Sequence, residues 1–113
     1  MTHTSAPSWT AMCTDETRNI ENTLRNAGFQ QVDAYRYNSA SIRVRVIDPG
    51  FEGLPLDERD AKVEQYLKQL PERTQADIIN LLTFAPSEFE QPPFKFRGYL
   101  LNIEFEDPSP SLL

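Results

Sequence analysis

The sequence predicts one small α+β domain, because two amphipathic helix patterns flank a stretch that alternates as paired β-strands do. Residues 14–27 and 56–70 repeat apolar side chains at helical spacing, and residues 32–47 alternate in two runs around a short polar loop. The length of 113 residues lies in the single-domain range, and 39% hydrophobic residues suffice for one modest core. We expect neither repeats nor a second domain.

Charge and composition limit the classes of function. A net charge of −6 opposes non-specific binding to phosphate backbones and anionic lipid. No apolar run approaches the roughly 18–20 residues that a membrane span needs, and residues 1–14 lack the basic and apolar regions of a signal peptide. The single cysteine, Cys13, cannot form an internal disulfide. We therefore expect a cytoplasmic protein with no membrane partner.

The two ends of the chain are predicted to be tails around a single domain of residues 14–106. Residues 1–13 are small and polar, and we expect a flexible N-terminal tail in which Trp9 or Met12 could act as an anchor. Residues 107–113 are rich in proline and serine and are predicted to be an extended C-terminal tail.

The first helix is predicted over about residues 14–27. Thr14 can accept hydrogen bonds from the free N–H groups of the first turn, and Asp15 and Glu16 complement the helix dipole there. Gly28 ends the helix, because glycine tolerates the left-handed conformation of a C-terminal cap.

A β-hairpin with one buried face is predicted next. Side chains alternate from Val32 to Tyr37 and again from Ile42 to Ile47, and the polar residues 38–41 between them form the turn. In the second strand Ile42, Val44 and Val46 point to one face, while the arginines between them point to the other. The run Asp48-Pro49-Gly50 ends that strand.

The remainder of the chain predicts a second helix, an ambiguous segment and a last strand. The second helix begins near Leu56 and stops before Pro71. Residues 72–85 fit either a helix face or a strand buried on both faces. Residues 94–106 alternate again and are predicted to form a C-terminal strand interrupted near Gly98.

The order and spacing of these features resemble the BolA family. The resemblance covers about residues 15–89 and rests on the strand Ile42–Val46, the Phe51-Glu52-Gly53 run, Glu58-Arg59 opening a helix, and Pro86-Ser87-Glu88-Phe89 after an apolar strand. It implies an α-β-β-α-β core related to the KH type II arrangement, with the helices on one face of a small mixed sheet. It also implies that segment 72–85 is a strand. The predicted C-terminal strand is then an addition to the family core.

The same resemblance implies where a cluster would be held. Family members that share an iron–sulfur cluster with a monothiol glutaredoxin use a histidine or cysteine of the hairpin loop and a histidine of the third strand. The matching positions here are Ser41 and Asp77, and Asp60 replaces a further histidine in the second helix. None of these is a thiol or imidazole, and His3 and Cys13 lie outside the matched region. We expect no metal and no cofactor.

No pattern of catalytic residues emerges from the sequence. Cys13 has only His3 near it in the chain, which is a weak basis for an activated nucleophile. A carboxylate pair for acid–base chemistry stays open, although no spacing argues for it. The acids of the second helix are interspersed with basic residues and indicate a solvated surface; they are Asp57, Glu58, Asp60 and Glu64. We predict that the protein is not an enzyme.

A glycine loop is the first of two candidate binding elements. Gly50-Phe51-Glu52-Gly53 matches the G-x-x-G pattern that lets the backbone of KH domains approach phosphates. Glutamate inside the loop would repel a phosphate, however. The favoured interpretation is a turn with Phe51 buried in the core.

Arginines on the predicted strands are the second candidate. Arg43 and Arg45 share a face, and Arg36, Tyr35 and Tyr37 lie on the neighbouring strand. If one sheet face were free of helices, these residues could bind an acidic peptide, an anionic ligand or single-stranded nucleic acid. The favoured alternative is that the arginines pair across strands with carboxylates, namely Asp33, Glu104 or Glu106.

The preferred hypothesis is a non-enzymatic, BolA-like interaction module without iron–sulfur ligands. It would contact a protein partner through the sheet face or through the edge of the C-terminal strand, where a second copy could also pair to form a homodimer. The alternative is a KH-like nucleic-acid-binding domain that uses the arginine face or the Gly50–Gly53 loop. The charge makes nucleic acid the less favoured partner.

Overall fold

The computed structural model describes residues 8–90 and 96–111. Its elements in chain order are a 3-10 helix (Ser8–Met12), α1 (Asp15–Asn26), β1 (Gln31–Asn38), β2 (Ser41–Ile47), a short 3-10 turn (Pro49–Phe51), α2 (Leu56–Leu67), α3 (Glu72–Asp77), β3 (Ile78–Phe84), α4 (Ser87–Glu90) and α5 (Phe96–Glu106). The strands form one mixed sheet in the order β1-β2-β3, in which β1 and β2 are antiparallel and β2 and β3 are parallel. The predicted α+β class and its α-β-β-α-β core are confirmed.

Local signals set the limits of α1. Thr14 and Thr17 form a capping box, in which the Thr17 N–H donates to Thr14 Oγ1 (3.2 Å) and the Thr14 N–H donates to Thr17 Oγ1 (2.9 Å). Gly28 follows the helix with a φ of 106°, a conformation that favours glycine.

The main core lies between the sheet and the helix pair α1 and α2. Successive strand residues point to opposite faces, so one parity of β1 and β2 faces these helices. The buried side chains of this core are Ile20 and Leu24 from α1, Val32 and Ala34 from β1, Ile42, Val44 and Val46 from β2, and Val63 and Leu67 from α2. Phe51 adds a fully buried ring from the turn after β2. This is the helix-covered face that the hairpin pattern predicted.

A buried arginine joins the start of α2 to the end of β3. Arg59 donates to the carbonyl oxygens of Leu54 (2.8 Å) and Thr83 (3.3 Å), and its guanidinium pairs with the carboxylate of Glu88. Glu88 also accepts the N–H of Ala85 (2.7 Å). The Glu58-Arg59 and Pro86-Ser87-Glu88 features of the sequence are therefore joined in the structure by the contact between Arg59 and Glu88.

The segment after α2 is divided between a helix and a strand. Residues 72–77 form α3, which begins after Pro71, and the Gln75 N–H donates to the Pro71 carbonyl (3.0 Å). Proline is well suited to the start of a helix, where it lacks only an N–H that would have no partner. The strand expected over 72–85 is thus confined to Ile78–Phe84.

The predicted C-terminal strand is wrong, because residues 96–106 form α5. Asn102, Phe105 and Glu106 all contact Arg45. Spacings of three and four residues place side chains together on a helix, whereas a strand would send Phe105 to the opposite side from the other two. Residues 96–106 therefore offer no strand edge for a homodimer.

The ends of the described chain are packed against the domain. Residues 8–12, predicted to be part of the flexible tail, form a 3-10 helix in which Trp9 is buried. Ser109 contacts Glu104, and its N–H donates to that carboxylate (3.0 Å). The tail prediction for residues 1–7 and 112–113 lies outside the described residues. No helix in the described part of the chain has both the length and the hydropathy to cross a bilayer.

Replacing Glu88 with glutamine should lower the free energy of unfolding by about 2 kcal/mol, since it leaves a largely buried guanidinium without its counter-charge. Urea unfolding followed by the fluorescence of Trp9 measures the loss. E64Q, at an exposed position of α2, should stay within about 0.5 kcal/mol of the wild type. Equal effects of the two substitutions would contradict this role of Arg59 and Glu88.

Candidate functional site

The sheet face opposite α1 and α2 is covered by α5 and by the N-terminal 3-10 helix. Trp9, Tyr35 and Phe105 form a buried aromatic cluster there, with ring centroids 5.8 Å apart for Trp9 and Tyr35 and 4.8 Å apart for Tyr35 and Phe105. The Tyr35 hydroxyl donates to the Phe105 carbonyl (2.9 Å). Helices therefore lie on both faces of the sheet, and the expectation of helices on one face holds only for α1 and α2.

Arg45 is enclosed beneath α5. The residue is 3% exposed and its guanidinium donates to Asp33 Oδ2 (2.6 Å), Glu106 Oε1 (2.7 Å) and Asn102 Oδ1 (2.6 Å). It also lies over the Phe105 ring, 4.6 Å from the centroid. Its donors are thus used inside the domain.

Arg43 is held in the same way beside the aromatic cluster. Its guanidinium stacks 3.8 Å from the centroid of the Tyr37 ring and donates to Tyr35 Oη (3.2 Å) and to the Glu104 carbonyl (3.1 Å). Hydrogen bonds from Ser109, with Arg43 as a further contributor, lower the pKa of Glu104. The arginines pair with the three carboxylates that the sequence named, but only Asp33 pairs across strands, since Glu104 and Glu106 lie on the helix α5. The open arginine face is not present.

Arg36 lies elsewhere, at a corner between β1, α1 and α3. Its Nη2 donates to the carboxylates of Glu16 and Asp77, the latter at 2.8 Å. Glu16 also accepts the Thr74 hydroxyl (2.9 Å). The hydrogen bond from Arg36 is the main cause that lowers the pKa of Glu16, and the bond to Glu16 in turn raises the pKa of Arg36. We call Glu16, Arg36, Thr74 and Asp77 the corner network.

Of the three positions that match family ligand sites, two are engaged by other side chains and the third is buried. Ser41 is buried at the start of β2, and Asp77 belongs to the corner network. Asp60, on α2, accepts the Thr83 hydroxyl (2.8 Å). Among the described residues no group of three or more histidine, cysteine or acidic side chains has the geometry of a metal site.

The Gly50–Gly53 loop forms a turn closed by its own side chains. Asp48 accepts the Gly50 N–H (2.7 Å), and Phe51 is fully buried. Glu52 accepts the Ser87 hydroxyl (2.6 Å). Of its two glycines, Gly53 has a positive φ, at 75°, and Gly50 does not. The loop therefore presents carboxylates where a phosphate-binding loop would present free N–H groups.

Sequence reasoning missed a groove between α2 and the outer edge of β3. Its volume is about 430 Å³, and Asp60 and Glu64 line one side while Ile79 and Leu81 line the other. The signal in the sequence was the absence of charge from residues 78–84, which is unusual for an edge strand. That signal can be interpreted only when β3 is known to lie at the edge of the sheet.

Replacing Phe105 with alanine should lower the free energy of unfolding by about 3–5 kcal/mol, because it removes the ring that closes the aromatic cluster. I103A, at a 45% exposed position of the same helix, should cost less than about 1 kcal/mol. Urea titration of both variants is the measurement. Similar losses would mean that α5 is not held by Phe105.

The corner network predicts acid sensitivity. Glu16 has a lowered pKa in the folded protein, so its contribution to stability is present above the ordinary value of 4.5 and is lost as the pH falls through the lower folded value. E16Q should be less stable than the wild type near pH 7 and should lose less of its unfolding free energy between about pH 5 and about pH 3. Urea titrations across this range test it, and parallel curves would contradict it.

Comparison with known proteins supports the fold. No protein-family model matches the chain, and no curated protein matches it. Among solved structures the chain is similar to BolA1 from Arabidopsis thaliana, with a TM-score of 0.52 and 16% sequence identity over 70% of this chain and 99% of that chain. The chain therefore has a BolA-like fold.

Proposed function

We propose that this protein is a non-enzymatic interaction module with a BolA-like fold, which holds no iron–sulfur cluster and acts through contacts with other proteins. The corner network carries the proposal. It places a guanidinium beside Asp77, one of the positions at which the family resemblance implies a cluster ligand.

The chemistry of the corner disfavours iron. Arg36 adds a fixed positive charge, and the carboxylate of Asp77 is already engaged by it. The hydroxyl of Ser41 and the carboxylate of Asp77 are also poor substitutes for the thiolate or imidazole that iron–sulfur clusters require. Arg36 and Asp77 have a structural use instead, because the corner network connects β1 to α1 and α3.

The one cysteine of the chain supports a non-enzymatic role. Burial, chiefly, raises the pKa of the Cys13 thiol, and nearby Glu21 adds to the shift. Its Sγ lies 3.6 Å from the Ala34 carbonyl, to which it donates. A raised thiol pKa reduces the fraction of thiolate, which is the nucleophilic form.

The geometry gives the nucleic-acid alternative no support. Arg43 and Arg45 are covered by α5 and paired within the domain. The loop at Gly50 carries Asp48 and Glu52 toward any phosphate that would approach.

Reconstitution with a monothiol glutaredoxin, iron and sulfide tests the proposal. We expect the purified chain to yield no visible charge-transfer absorbance and no iron in a heterocomplex after gel filtration. The matched variant combines R36Q, S41C and D77H, which removes the cation and supplies a thiol and an imidazole. A cluster signal gained by this variant would show that the side chains at these three positions prevent cluster binding in the wild-type chain. A coloured, stoichiometric heterocomplex of the wild-type chain would contradict the proposal.

A further inference from the structure

The two outer edges of the sheet differ in how their backbone groups are satisfied. On β1, the Ala34 N–H donates to the carboxylate of Glu21 (3.0 Å), and the Val32 carbonyl accepts from Arg25 (2.9 Å). Cys13 donates to the Ala34 carbonyl. Side chains thus occupy the positions at which another strand would pair, so the β1 edge is closed.

Among the described residues, the β3 edge is open at its centre. The Thr83 carbonyl faces outward to Arg59, and Leu81, two residues earlier, presents its backbone in the same direction. No described residue hydrogen-bonds to those outward groups of Leu81. Ile79 is 62% exposed, and the strand contains neither the charge nor the proline that commonly protects an edge.

The groove beside this edge is lined by both apolar and acidic side chains. Leu67, Ile78 and Leu81 provide apolar surface, and Asp60 and Glu64 are contributed by α2. A strand paired with β3 would direct alternate side chains into the groove. Apolar side chains would meet the apolar lining and basic side chains would meet the two carboxylates.

We propose that the β3 edge and its groove bind an extended segment of a partner protein by strand addition, and that the segment alternates apolar with lysine or arginine side chains. This inference rests on the proposed function and specifies its partner. The acidic charge of the groove favours a basic partner segment over a second copy of this chain. The lining has two carboxylates against Lys68, and a second copy, with the same carboxylates and a net charge of −6, would be repelled.

Titration of the full-length, isotope-labelled chain with two synthetic peptides tests the inference. One peptide alternates valine with lysine, and its match alternates valine with glutamate. We expect the lysine peptide to shift the backbone amide signals of residues 78–83 in NMR spectra and to bind at least about tenfold more tightly than the glutamate peptide.

Variants locate the binding. I79K places a charge on the open edge at an exposed position, and we expect it to weaken binding of the lysine peptide by about tenfold or more. E64Q should weaken binding about two- to fivefold and reduce its dependence on salt. The control I103K alters an apolar side chain of comparable exposure on α5 and should leave affinity within about twofold, since it lies outside the groove.

Several outcomes would overturn the inference. They are equal binding of the two peptides, equal effects of I79K and I103K, and a concentration-dependent dimer in sedimentation that I79K dissociates without peptide binding. The last result would identify a second copy as the occupant. A negative result in the peptide experiments would not contradict the proposal that the protein holds no cluster, because that proposal is tested by iron content and visible absorbance. The two proposals can therefore fail separately.

Discussion

The pairing of the buried Arg45 guanidinium determines how the second face of the sheet is used. A charge that is removed from water must be matched by counter-charge and hydrogen bonds, or the folded state is destabilised by several kcal/mol. Asp33 provides one partner from the adjacent strand, and Asn102 and Glu106 provide the others from α5. This requirement fixes α5 on the sheet and closes the aromatic cluster around Tyr35.

Two further arginines connect elements on the other side of the molecule. Arg59 joins the start of α2 to the end of β3 through Glu88, and Arg36 joins β1 to α1 and α3 through Glu16 and Asp77. A contact of this kind needs both partners to be retained, because losing one leaves the other charge unpaired. Asp77, a position that the resemblance links to cluster binding, is held in these ion pairs.

Because helices cover both faces of the sheet, the edges of the sheet are the remaining places where it could contact a partner. The hairpin edge is closed by side chains from α1 and the N-terminal segment. The β3 edge keeps outward backbone groups and an adjoining groove. These two features are the basis of the proposed recognition of an extended segment, in which backbone hydrogen bonds would contribute affinity and groove contacts would contribute selectivity.

Local sequence determined the elements whose signals are short-range. The cap at Thr14, the alternation around the hairpin and the stop at Pro71 each act within a few residues, so α1, β1, β2 and α2 were predictable from them. Asp33 could also be named as a cross-strand partner of the sheet arginines, whereas Glu104 and Glu106 were expected on a strand and reach the arginines from α5. Tertiary structure decided the state of residues 72–77, which contain too few apolar side chains to show a period. It also decided the state of residues 96–106, whose alternation predicted a strand although contact with Arg45 selects a helix. It also decided that β3 lies at the edge of the sheet beside α2. The groove between them depends on how elements distant in sequence pack, so no periodic pattern in the sequence predicts it.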